Sequence, residues 1–204
     1  MSRELIDYMR RELRDMHRLY EHVTSDLNDE QVNHVPANGK QNLGFSLWHY
    51  VRTEDNAIQF VIQRKPTVWM EGGWAEKFGL DAKSQGTGFT DEEARTFRFD
   101  DIAGFRRYMA DVFQRTDAYV AGLSPEESER KIIVKPLGEM SIMTAISGLC
   151  MTHGYRHLGE IEFAKGLVAA KAARRSRPAC LATRDRAGER SPSGTHNLLT
   201  SSIR

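Results

Sequence analysis

The sequence predicts an all-α fold: a four-helix bundle with one long crossover connection and a basic, disordered C-terminal tail. Three observations predict it. Apolar residues recur at steps of three and four through four separate stretches, as they do on buried helix faces. One connection between those stretches is short and one is long, the pattern of a bundle with a crossover. Near Ala169 the periodicity gives way abruptly to Arg, Ala, Ser and Pro.

The first helix opens on Ser2, a good cap, and places Leu5, Met9, Leu13, Met16, Tyr20 and Val23 on one stripe. The second runs from about Leu43 to Gln63 and is apolar on two sides. Leu47, Val51, Ile58 and Val61 lie on one, and Phe45, His49, Asn56 and Phe60 on the other, so this helix is expected to be well buried. The third begins near Asp101, aligns Ile102, Phe105, Met109, Val112, Phe113 and Val120, and stops near Gly122 and Pro125. The fourth begins near Ser141 and aligns Ile142, Ile146, Leu149, Cys150, His153, His157, Ile161 and Ala164.

Between the second and third helices lies KPTVWMEGGWAEKFGLDAKSQGTGFTDEEARTF, in which Thr90 and Glu93 form a capping box for a short helix. Its aromatic content argues for an ordered, lid-like segment around Trp69, Trp74 and Phe78. RKIIVKPLGEM, 130–140, is expected to hold a short extended piece, strands otherwise being minor or absent. Residues 169–204 cannot bury enough apolar surface to offset the entropy of ordering them, and are expected to be disordered.

The chain of 204 residues suits one domain, 1–168, with an appendage. Its formal net charge of +1 gives no reason to expect nucleic acid or an acidic membrane as partner. The balance is uneven: 1–170 carries 21 Lys and Arg against 26 Asp and Glu, whereas 171–204 carries 8 against 2. That tail has no Phe, Tyr or Trp to stack on bases, which favours a solvated extension. Two cysteines, Cys150 and Cys180, make no disulfide framework, and no apolar run reaches signal-peptide or membrane-span length. A soluble cytoplasmic protein is expected.

His153 and His157 are the chemical anomaly. At i and i+4 their rings leave one helix face together, on the stripe that must point inward. A buried imidazole without a partner costs ~1–3 kcal/mol, so something must satisfy both. Either each donates to a backbone carbonyl or neighbouring side chain, or both bind a metal. The metal reading has a third ligand in His49, on the facing side of the second helix, and three imidazoles would leave a position open for water or substrate. His17, His22, His34 and His196 read as surface or capping residues. Gly154 stands where a zincin of HExxH type has its general base, which excludes a metalloprotease of that type. Cys150 reads as a small hydrophobe, with a metal ligand or near-site thiol as the alternative. Glu54 and Glu160 would orient a ligand imidazole or pair with Arg52 or Arg156, the salt bridge being the favoured reading.

GFSLWHYVRTEDN, followed about a hundred residues later by THGYRHLGEIEFAKGL, resembles the DinB-like superfamily of bacterial four-helix bundles, the damage-inducible protein and thiol-transferase group. The resemblance covers residues 1–168 and implies a divalent metal, zinc or nickel, on His49, His153 and His157. It further implies an S-transferase that joins a low-molecular-weight bacterial thiol, such as mycothiol or bacillithiol, to a small electrophile. The Trp69, Trp74 and Phe78 segment would close over the pocket, and a homodimer is implied by relatives. The alternatives are a hydrolase that activates water on the same metal, and a non-catalytic metal-binding protein of the stress response.

Overall fold

A computed structural model describes residues 2–36 and 39–175, the side chains of the last seven excepted. It is mostly helical with one small two-stranded sheet. Two compact units divide at Ala169/Ala170, and everything below concerns the first. The C-terminal helix runs on to Arg175, past the predicted start of the tail; residues 176–204, and with them the expectation of disorder, lie outside the described residues.

Helix α1, Arg3–Thr24, begins where Ser2 accepts from the Leu5 N–H. Its stripe differs from the expected one at the first turn: Ile6 is fully buried, whereas Leu5 is 46% exposed. After the short α2, Asp29–Val32, Asn42 starts α3, Leu43–Asp55, by accepting from the Phe45 N–H at 2.7 Å. This helix continues without a break as a π-helical segment, π1, Asn56–Ile62. The wider turn rotates the faces beyond it, because each turn then takes more residues than the 3.6 of an α-helix. Phe60 consequently points outward at 53% exposure, not onto the side predicted from Phe45 and His49, while Ala57, Ile58 and Ile62 face the core.

The long connection carries α4, Val68–Glu71, α5, Trp74–Phe78, and α6, Asp91–Thr96, the last with the expected Thr90/Glu93 capping box. Its first part is fastened to the end of α3 by Asp55. That buried carboxylate accepts from the Val68 and Trp69 N–H groups at 2.9 and 3.0 Å, and from the Tyr108 hydroxyl at 3.0 Å. Burial raises its pKa, and these donors with Arg52 only partly offset the rise. Arg52 reaches Asp55 at 3.4 Å and lies 4.9 Å from the Trp69 ring centroid.

Helix α7, Ile102–Gly122, has the predicted stripe and an Asp101 cap. It packs along α1 and against α3 and α4. After α8, Pro125–Glu129, a hairpin of β1, Lys131–Val134, and β2, Gly138–Ser141, pairs Lys131 with Ser141 and Val134 with Gly138. Ser141 caps the last helical run, which passes through α9, Ile142–Ala145, and a second π segment, π2, Ile146–Thr152, into α10, His153–Arg175. Segment π2 packs against α1, α3 and π1. The common core contains Leu47, Tyr50, Val51, Phe105 and Ile146, and each large apolar side chain fully buried there contributes roughly 1.5–3 kcal/mol. Among the described residues no helix is long and apolar enough to cross a membrane.

Candidate metal centre

His49 rises from the middle of α3, and His153 and His157 from the first turns of α10. The packing of α3 against the π2–α10 run brings the three rings together. One nitrogen from each lies within 4.8 Å of the others, with ring centroids 5.1, 5.1 and 4.5 Å apart. The Nε2 atoms of His153 and His157 are 3.0 Å apart.

Two of the three tautomers are set by acceptors behind the rings. The Nδ1–H of His49 donates to the Gln85 carbonyl at 2.5 Å, and that of His157 donates to Glu160 Oε2 at 2.8 Å. Neither acceptor has a proton to give, so both rings keep Nε2 as a lone-pair donor. Glu160 is held in turn by the Gln41 amide at 3.2 Å, and Gln41 reaches Ser46 Oγ at 2.6 Å. Of the two readings considered for Glu160, the structure has the one in which it orients an imidazole; hydrogen bonding to His157 is the main reason its pKa lies below the ordinary value.

His153 completes the donor set. Its Nδ1 is buried and meets no partner in hydrogen-bonding geometry. Burial depresses its pKa to about 4, helped by His157, His49 and Arg156 and opposed slightly by the Leu149 carbonyl. Burial likewise holds His49 below its ordinary value despite the Gln85 carbonyl. As neutral rings, His49 and His157 each present an Nε2 lone pair, and a single proton on His153 Nε2 serves one of them. A divalent cation serves all three. The residues fit a metal: three imidazoles, two with Nδ1 fixed from behind, and no fourth protein ligand among the described residues.

The triad lines a cavity of about 670 Å³, whose walls come from α3, π1, the π2–α10 run, residues 85–91 and the turn 135–137. Phe45 and Phe89 supply aromatic surface, and Thr53, Asn56 and Gln85 supply polar atoms. Trp69, Trp74 and Phe78 lie elsewhere. Trp69 is fully buried against Tyr108, at 5.1 Å and edge-on, and Phe78 stacks on it at 5.9 Å, so the predicted lid residues are core and the later part of the connection forms the wall.

Gly86 is what lets that wall approach. Its φ is +79°, and a Cβ there would lie 2.9 Å from ring atoms of both Phe45 and Trp48. Gly86→Ala is therefore expected to push the Gln85 carbonyl off His49 and to weaken metal binding about tenfold or more, measured by competitive metal titration. Sequence reasoning missed Gln85 and Gly86, because a glycine in a long connection looks the same whether or not a carbonyl beside it is needed.

Other predicted neighbours lie away from the rings. Cys150 is fully buried, its thiol pKa pushed well up by burial, and it does not line the cavity. Across π2 it faces the core, whereas Leu149 and Thr152 face the cavity. Glu54 pairs with neither Arg52 nor a triad imidazole. Its Oε2 accepts from His17 Nε2 at 3.1 Å and from the Tyr50 hydroxyl, and its Oε1 from Thr116 at 2.7 Å. His17 is thus no surface residue: it is buried and stacked 3.8 Å from Phe113. Its period-correct place on the α1 stripe beside Met16 and Tyr20 was masked by the Arg and Glu around it.

The family model of the DinB superfamily matches residues 12–161, a span that contains all three histidines. The chain belongs to the DinB superfamily. The fold is shared with a solved structure: the crystal structure of a conserved protein from Enterococcus faecalis superposes with a TM-score of 0.70 at 19% identity, covering 80% of this chain and 96% of that one. No curated protein matches the chain.

Proposed function

We propose that this DinB protein, a four-helix bundle of the superfamily's type, is a divalent-metal-dependent transferase that joins a low-molecular-weight thiol to a small electrophile. The observation that carries the reading is the convergence of His49, His153 and His157, two of them anchored through Nδ1, on a cavity of metabolite size. Zinc or nickel suits three imidazoles with an open position. When bound, the metal supplies Lewis-acid chemistry that keeps a thiol deprotonated at neutral pH.

The chain's own residues hold the reactants. His49 and His157 are fixed in orientation by Gln85 and Glu160, so the donor set is preorganised. Phe45 and Phe89 line the cavity with apolar surface for the electrophile. Protein loaded with zinc or nickel, mixed with mycothiol, bacillithiol or cysteine and a model electrophile, is expected to raise conjugation above the uncatalysed rate. No rise with any thiol, or ester hydrolysis proceeding without one, would overturn the transferase reading.

A further inference from the structure

The cavity wall carries an uneven charge. Four ionisable side chains besides the histidines line it: Glu160, Asp91, Arg156 and Lys135. The two carboxylates are in use, Glu160 by His157 and Gln41 and Asp91 by Lys40 at 3.1 Å. The two cations are not: among the described residues neither Arg156 nor Lys135 forms an ion pair, although the Arg156 charge is felt by both His153 and Glu160. They reach the cavity from different elements. Arg156 sits on α10 between the two histidines, and Lys135 in the turn between β1 and β2.

We propose that this cavity selects small molecules bearing an anionic group, a carboxylate or phosphate, which Arg156 and Lys135 receive while another atom of the same molecule takes the open position at the triad. The inference rests on the metal reading of the triad but not on the thiol. A guanidinium offers a planar fork to either oxyanion and an ammonium adds a mobile point charge, so the pair tolerates ligands of different length. The apolar surface of Phe45, Phe89 and Leu137 is left for the uncharged body of the ligand.

The full chain loaded with cobalt(II), whose visible spectrum reports coordination, tests this with matched metal-binding probes. Acetohydroxamate is neutral, succinic acid monohydroxamate adds a carboxylate, and phosphonoacetohydroxamate adds a phosphate-like group; comparing the last two separates the two anion classes. At least one anionic probe is expected to bind about tenfold more tightly than acetohydroxamate. Arg156→Gln and Lys135→Gln should each narrow that preference without changing the cobalt content, and Arg156→Lys should restore part of it. Equal affinity for all three probes on a cobalt-loaded protein would overturn this inference and leave the metal reading intact. So would a preference that survives both glutamine substitutions together. A protein that takes up no cobalt overturns both readings, while selective hydroxamate binding without thiol conjugation sinks only the transferase.

Discussion

Replacing His153 by alanine is expected to abolish both metal retention and thiol conjugation. His49 and His157 would be left as two lone-pair donors without the third that closes the set. The loss should exceed the roughly 10–100-fold that removing a supporting residue such as Glu160 costs, because a direct donor disappears. Elemental analysis of wild type, His153→Ala, Glu160→Gln and Cys150→Ala, purified side by side, makes the comparison. Near-zero metal in the first, reduced affinity in the second and wild-type content in the third is the expected ranking. A wild-type metal content in His153→Ala would remove the triad from consideration, and a loss in Cys150→Ala would return the thiol as a ligand. The same variant has an opposite signature without metal. The buried Nδ1 of His153 has no partner whether or not Nε2 holds a cation, and without metal the ring contributes no binding energy to offset that cost, so metal-free His153→Ala should melt no lower than metal-free wild type.

The second large effect concerns stability. Glu54 is fully buried and receives hydrogen bonds from three side chains on three helices, His17, Tyr50 and Thr116. Glu54→Ala leaves those donors buried without an acceptor and is expected to cost about 3–5 kcal/mol, the range seen when one partner of a buried pair is removed. Chemical denaturation measures it, and a loss below about 1 kcal/mol would show that the cluster relaxes or admits water. Burial alone would raise the Glu54 pKa, but the charge and hydrogen bond of His17, with those of Tyr50 and Thr116, outweigh it, and the pKa lies below 4.5. A carboxylate depressed in the folded state stabilises the fold above its unfolded pKa and loses that contribution as pH falls through the folded one. Stability should therefore decline as pH drops below about 4.5, and decline less in Glu54→Gln.

The four periodic stretches, the helix starts at Ser2 and Ser141, the Thr90/Glu93 capping box of the short α6 and an extended piece within 130–140 were legible because each is a local pattern, whereas the pairing of that piece into a hairpin was not. His49, His153 and His157 were legible as a cluster because polar residues at helical spacing on an apolar face have few explanations. What escaped were consequences of geometry that no spacing encodes. A helix that widens into a π turn keeps its sequence periodicity while its faces rotate, so Phe60 could not be placed. His17 was hidden for a different reason: its acceptor, Glu54, lies on another helix, and no spacing in the sequence pairs the two. Trp69, Trp74 and Phe78 announced an ordered connection, but only Asp55 decides that its order belongs to the core.

Gly154 has a further consequence. A Cβ at that position would sit 2.4 Å from Met16 Sδ and 2.7 Å from the Tyr50 hydroxyl, and its carbonyl accepts from Tyr20 at 2.8 Å. The helix is thus pressed against its neighbours where a protease of this spacing would carry its base, with no room for even a methyl group. The repertoire open to this scaffold is bounded from behind the helix: substitutions along the cavity wall can change which molecules enter, but a general base cannot be recruited from inside the histidine turn.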